Sequence, residues 1–127
     1  MDKERASIIT IGGEEYNLIL TTKATKEIAK RYGGLENLGE KLMQAENFEM
    51  ALEEIIWLIT LLANQSVLIA NRLNGEKREL LTEEDVELFT SPMELATYKD
   101  AIMEAMFKGT KRNIESEEEG LKNQQVE

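Results

Sequence analysis

The stretch SIITIGGEEYNLILTTKATKEIAKRYGG (residues 7–34) decides the fold, because its hydrophobic period changes halfway along. Ile9 and Ile11 alternate, Gly12 and Gly13 offer a two-residue turn, and Tyr16, Leu18 and Leu20 alternate again. A period of two in β-branched and aromatic residues, broken by Gly-Gly, predicts a β-hairpin. Beyond Thr21 the period lengthens: Ala24, Ile28 and Tyr32 recur at i, i+4 and i+8, one stripe of a helix. Thr21 and Thr22 are both placed to cap it, with the Thr22 hydroxyl offered to the first free amides. The helix is expected over Lys23–Tyr32, with Gly33-Gly34 closing it in the left-handed manner of a C-cap.

Outward from that stretch, LENLGEKLMQA (residues 35–45) predicts a short second helix with Leu35, Leu38, Leu42 and Met43 on one side. Asn47 is placed to cap a long third helix, FEMALEEIIWLITLLANQSVLIANRL (residues 48–73). Its apolar residues start as a stripe of Phe48, Ala51, Leu52 and Ile55 and then spread almost all the way round, as in a helix at the centre of a fold. Asn74-Gly75 stops it, and a charged link, EKREL (residues 76–80), follows. Thr82 with Asp85 three residues on is a capping-box pattern for a helix over Glu83–Phe89. Ser91-Pro92 signals the last helix, which carries Leu95, Tyr98, Ile102, Met103 and Met106 to about residue 108 or 112.

Residues 1–6 are charged and expected to be flexible. Residues 113–127, NIESEEEGLKNQQVE, hold five acids and one lysine without apolar periodicity, the composition of a disordered acidic tail. The expected fold is α+β: an N-terminal β-hairpin, then a mainly α-helical domain of about five helices, forming one domain over residues 7–112.

Composition narrows the chemistry. The chain has 127 residues, enough for one modest core, with 25 acids against 15 bases and a formal net charge of −10. Nucleic-acid binding draws on a basic footprint, and this overall field repels phosphate. Cysteine and histidine are both absent, which removes disulfides, thiolate chemistry and the commonest general base and metal ligand. The MDKER start lacks the apolar stretch of a secretory signal. The run IIWLITLLA (residues 55–63) is about half the roughly 20 residues that span a bilayer. A cytoplasmic chain without membrane partners is the expectation.

No motif directs an enzyme assignment. Ser7, Ser66, Ser91 and Ser116 have no histidine to activate them, and no Ser-x-x-Lys spacing occurs. Glu53-Glu54 lacks the Glu-x-x-His partner of a helix-bundle metal site, and Glu83-Glu84-Asp85 lies where acids favour a helix start. Neither glycine pair belongs to a phosphate-binding or dinucleotide-binding pattern, so no cofactor is expected. Trp57, Leu58, Leu61 and Leu62 are either core or a partner interface, where tryptophan is enriched at hot spots. A second reading treats residues 22–44 as a helix-turn-helix DNA-binding regulator. The reading helix would then open with Leu35, Glu36, Asn37 and Leu38, of which Asn37 alone is a plausible base reader.

Taken in order, these elements resemble the tail assembly chaperones of long-tailed bacteriophages and prophages, and similar proteins of gene transfer agents. The likeness rests on Ile9 and Ile11 before Gly12-Gly13, then Tyr16 and Leu18, then Thr21-Thr22 opening a helix that ends at Tyr32-Gly33-Gly34. Leu35 and Leu38, the long apolar helix and the acidic tail complete it, over roughly residues 8–112. The resemblance implies a non-catalytic role: holding the long, aggregation-prone tape measure protein in solution and helping to recruit tail tube subunits, the latter through an extended form in many members. It also implies self-association. Trp57, Leu58, Leu61, Leu62, Met103 and Met106 are then the candidate partner-binding residues, with Met93 a further adaptable contact, since methionine surfaces suit varied partners.

Overall fold

The computed structural model describes residues 7–34, 36–38 and 48–126, with side chains at 7–34, 36–38 and 52–109. Strands β1 (Ile8–Ile11) and β2 (Glu14–Asn17) form a two-stranded antiparallel sheet, with Ile9 opposite Tyr16 and Ile11 opposite Glu14. Gly12 and Gly13 take φ of 60° and 84°, the paired positive values that a two-residue type I′ connection needs. Ile9, Ile11 and Tyr16 are buried on one face, and Leu18 continues it through its N–H bond to the Ser7 carbonyl at 2.8 Å.

Helix α1 (Thr22–Tyr32) buries Ala24 and Ile28, as the stripe predicts, and ends at Gly33 with φ of 87°. Its N-cap is Thr21 and not Thr22. The Thr21 hydroxyl accepts from the Ala24 N–H at 3.0 Å and donates to the Gln65 side-chain oxygen at 2.5 Å. One hydroxyl therefore starts α1 and ties it to the next helix, a long-range bond that local spacing cannot reveal. Residues 36–38 form a helical turn with Leu38 fully buried. Residues 1–6, Leu35, Leu42, Met43 and Asn47, to which the sequence assigns roles, lie outside the described residues.

Helix α2 (Phe48–Asn74) is the axis of the fold. Leu58, Ile59, Leu62, Ala63 and Val67 are wholly buried, and β2, α1, α3 (Glu83–Phe89) and α4 (Pro92–Val126) all pack on it. The stretch Leu52–Asn74 has a mean hydropathy of 1.5 over its most apolar window, long and apolar enough to cross a membrane by length and composition. That span is longer than the nine-residue run read from the sequence, and half of the window is buried within this fold. The hairpin leaves its sheet by donating from the Ile19 N–H to the Leu62 carbonyl at 3.3 Å.

Both later caps form as read. Thr82 and Asp85 make a reciprocal capping box, and Ser91 and Glu94 exchange equivalent bonds at 3.1 and 3.3 Å. Helix α4 buries Leu95, Ile102 and Met106 and closes on the hairpin exit at Gly109, where an added Cβ would stand 2.5 Å from the Leu20 Cβ. Its helical backbone continues past Arg112 to Val126, through the stretch read as a disordered tail. A polar stretch of that composition is only marginally helical in water on its own. The fold is thus the expected hairpin followed by about five helices.

The link between α2 and α3 is not the loose charged segment its composition suggests. Asn64 donates to the Leu81 carbonyl at 2.8 Å and accepts from the Leu81 N–H at 2.7 Å. Asn71 does the same with Arg78, both bonds at 3.1 Å. Seven helical residues rise about 10.5 Å and three extended residues span about 10 Å, so two asparagines one heptad apart match two link residues three apart. The link lies antiparallel along α2, each amide standing in for a strand neighbour.

Two predictions follow from these contacts. Asn64→Ala leaves a part-buried N–H and C=O unpaired and is expected to cost about 1–3 kcal/mol in urea melts, whereas Asn71→Ala costs less because its exposed partners turn to water. Equal, negligible losses would show that the clamps do not hold the link. In α4, the Tyr98 hydroxyl donates to the Thr10 carbonyl at 2.8 Å, with the Glu94 carboxylate 3.3 Å away. Burial, then the Glu94 charge, raises its pKa above the ordinary phenol value of 10.0. The unfolded chain then loses this proton first, so stability falls as pH climbs past about 10 toward the folded value. Tyr98→Phe should flatten that fall in melts taken across this range.

Candidate protein-interaction groove

The six candidate partner-binding residues divide by burial. Leu58 and Leu62 are fully buried and Met106 is 8% exposed, so all three belong to the core. Truncating either leucine is a matter of fold, at about 2–5 kcal/mol, and not of binding. Trp57, Leu61 and Met103 are half-buried against that core. Trp57 and Leu61 stand beside a groove that runs along α2; Met103 lies on α4 and does not line it.

Elements on either side make the walls. At one end Trp57, Leu61 and Leu68 face Leu80 of the clamped link, with Glu27 and Glu83 at the rim, around a cavity of ≈ 330 Å³. At the other end Leu68, Ile69 and Leu73 adjoin Thr21, Lys23 and Arg72 around a cavity of ≈ 320 Å³. Lys23, Gln65 and Leu68 border both, so the two are one continuous trough. From Trp57 to Leu73 it spans about 24 Å of helix.

Ile69 and Leu73 follow Leu58 and Leu62 by eleven residues, about three turns, and so continue the same stripe. At the Leu58–Leu62 level the fold covers that stripe; further on it is bare, with Leu73 76% exposed. Leu80 on the facing wall is also exposed. Trp57 and Leu61 line the groove, but an all-round apolar helix does not state where its cover ends. The i, i+4, i+11 recurrence of Trp57, Leu61 and Leu68 was the available signal. Leu80 had none, since its position depends on the asparagine clamps. A second group of exposed apolar side chains, Leu88, Phe89 and Met93, lies at the α3–α4 corner.

Trp57 is held in place by charge and aromatic contact. The Arg31 guanidinium lies 4.5 Å from the centre of its ring, and Tyr32 meets it edge-on at 5.9 Å and 74°. Arg31 is in turn anchored by Glu54, Nε to Oε2 3.5 Å. Among the described residues no group of three His, Cys, Asp or Glu side chains is disposed to hold a metal. What the trough offers is apolar contact with charged rims.

Arg31→Ala should uncover the indole: the emission of Trp57, the chain's one tryptophan, moves to longer wavelength and stability drops by about 1 kcal/mol. Unchanged emission would mean that the guanidinium does not cover the ring. No family model, curated protein or solved structure matches this chain.

Proposed function

We propose that this chain is a tail assembly chaperone, a non-catalytic binding protein that seats apolar segments of a phage tape measure protein along α2. It keeps that partner soluble and helps bring tail tube subunits to it. The observation that carries this reading is the overhang of the α2 stripe: Ile69 and Leu73 continue a core row into solvent, and Leu68 beside them also lines the hollow that Leu80 borders. Contiguous exposed apolar surface of this kind marks a contact site for another chain. The formal net charge of −10 supports the second need of a holdase, since like charge keeps loaded complexes apart.

The DNA-regulator reading loses its best residue. The Asn37 amide donates to the Tyr32 carbonyl at 2.9 Å, behind the Gly33 cap, and the neighbouring Leu38 is buried. The one polar side chain suited to reading a base is engaged in ending α1.

Co-expression with the tape measure protein encoded nearby, followed by pull-down, tests the proposal. The native chain should retain its partner and keep it soluble. Leu73→Asp, at an exposed position that leaves the core untouched, should lower soluble partner severalfold while circular dichroism stays native. Trp57→Asp should do the same at the other end of the trough, provided that it folds. No association of the native chain would overturn the tail-assembly reading; full retention by Leu73→Asp would overturn the groove.

A further inference from the structure

We infer that the groove takes one amphipathic α-helix of about 16 residues, lying antiparallel to α2, with acidic side chains in its first turn and basic side chains in its last. This rests on the reading of the trough as the partner site and specifies what that site recognises.

Backbone chemistry selects a helix over an extended peptide. A strand docks by adding to an open row of N–H and C=O groups. The walls here are α1 and α2, whose backbones are helical, and the link, whose Arg78 and Leu81 groups are already paired with Asn71 and Asn64, which leaves only Glu79 and Leu80 between them. An extended segment in the trough would bury its own backbone without partners. A helix satisfies its backbone internally and needs only a stripe of apolar side chains, which Trp57, Leu61, Leu68 and Leu80 receive along a straight floor.

Rim charges select the direction. Arg72 borders the Leu73 end and Glu27 and Glu83 border the Trp57 end, with Lys23 between, on the border of both hollows. Glu27 also pairs with Lys30 at 3.4 Å, an exposed contact that exchanges partners at little cost. Helices carry acids preferentially in their first turn and bases in their last, where each complements the dipole. Such a helix meets both rims favourably only with its first turn beside Arg72 and its last beside Glu27 and Glu83. That direction is antiparallel to α2, which runs from Trp57 toward Leu73.

Trp57 reports on the outcome, being the one tryptophan in the chain and situated at one end of the trough. The probe is a tryptophan-free amphipathic peptide of about 16 residues with a leucine stripe, glutamates in the first turn and lysines in the last, carrying a nitroxide at either end. Titrated into the full chain at low salt, the C-terminally labelled peptide should quench Trp57 severalfold more than the N-terminally labelled one. Combining Arg72→Glu with Glu27→Lys and Glu83→Lys should reverse that order. Equal quenching by both labels, or stronger quenching by the N-terminal label, overturns the direction. No quenching by either label, with the chain folded, overturns the helix as occupant. Trp57 emission that changes on simple dilution without peptide points to a second copy in the trough and overturns the assignment as well. A chain that solubilises the tape measure protein yet ignores the peptide loses this inference alone. A chain that fails in both assays loses the functional reading too.

Discussion

Much of this structure answers to one constraint: a helix that is apolar on nearly all sides needs cover, and every element that packs on it except α4 is shorter than it is. Helix α2 has 27 residues, against 11 in α1, seven in α3 and four in each strand. At about 1.5 Å per residue α2 is about 40 Å long and α1 about 16 Å. Cover is complete around Leu58, Ile59 and Leu62, where hairpin, α1, α3 and α4 converge, and it runs out by Ile69 and Leu73. The overhang lies toward the end of α2 where that cover runs out.

Apolar packing gathers the covering elements, and polar side chains set into the apolar helix pin two of them, α1 and the link. Gln65 is 3% exposed, yet both of its amide atoms are paired, one with the Thr21 hydroxyl and the other with the Leu61 carbonyl. Asn64 and Asn71 fix the link by the same device. Buried polar groups cost free energy unless bonded, and bonded ones set position in a way that apolar contact alone does not. This is why the link forms a wall of the groove and why Leu80 faces the trough.

How much of this was legible in the sequence follows from the range of each interaction. The Gly12-Gly13 turn, the Gly33 stop, the Thr82–Asp85 box and the Ser91–Glu94 cap all act within five residues, and their residue types announce them. The α2 stripe was legible as apolar, but Leu58 and Leu61 look alike until neighbours are placed around them; one is core and the other half-open. Thr21 over Thr22 as N-cap was decided by Gln65, 44 residues away. The asparagine clamps join residues 17 and seven apart, and no local pattern marks them. Sequence therefore showed that a surplus of apolar surface exists; placing it required the tertiary contacts.

Bare apolar surface beside a trough invites a second copy of the same chain, and the charge distribution argues against that occupant. With a net charge of −10, two copies repel on approach, and only within a Debye length of about 8 Å does local chemistry take over. Arg72 makes the Leu73 end locally basic, so the trough attracts an acidic turn there while the body of the chain repels like bodies. A copy of α2 would bring its own Arg72 to a groove already bordered by Arg72 unless it reversed direction, and reversed it would set Arg72 near Glu27 but bring the whole acidic body with it. A slender helix brings no such acidic body and meets the same rims without that penalty.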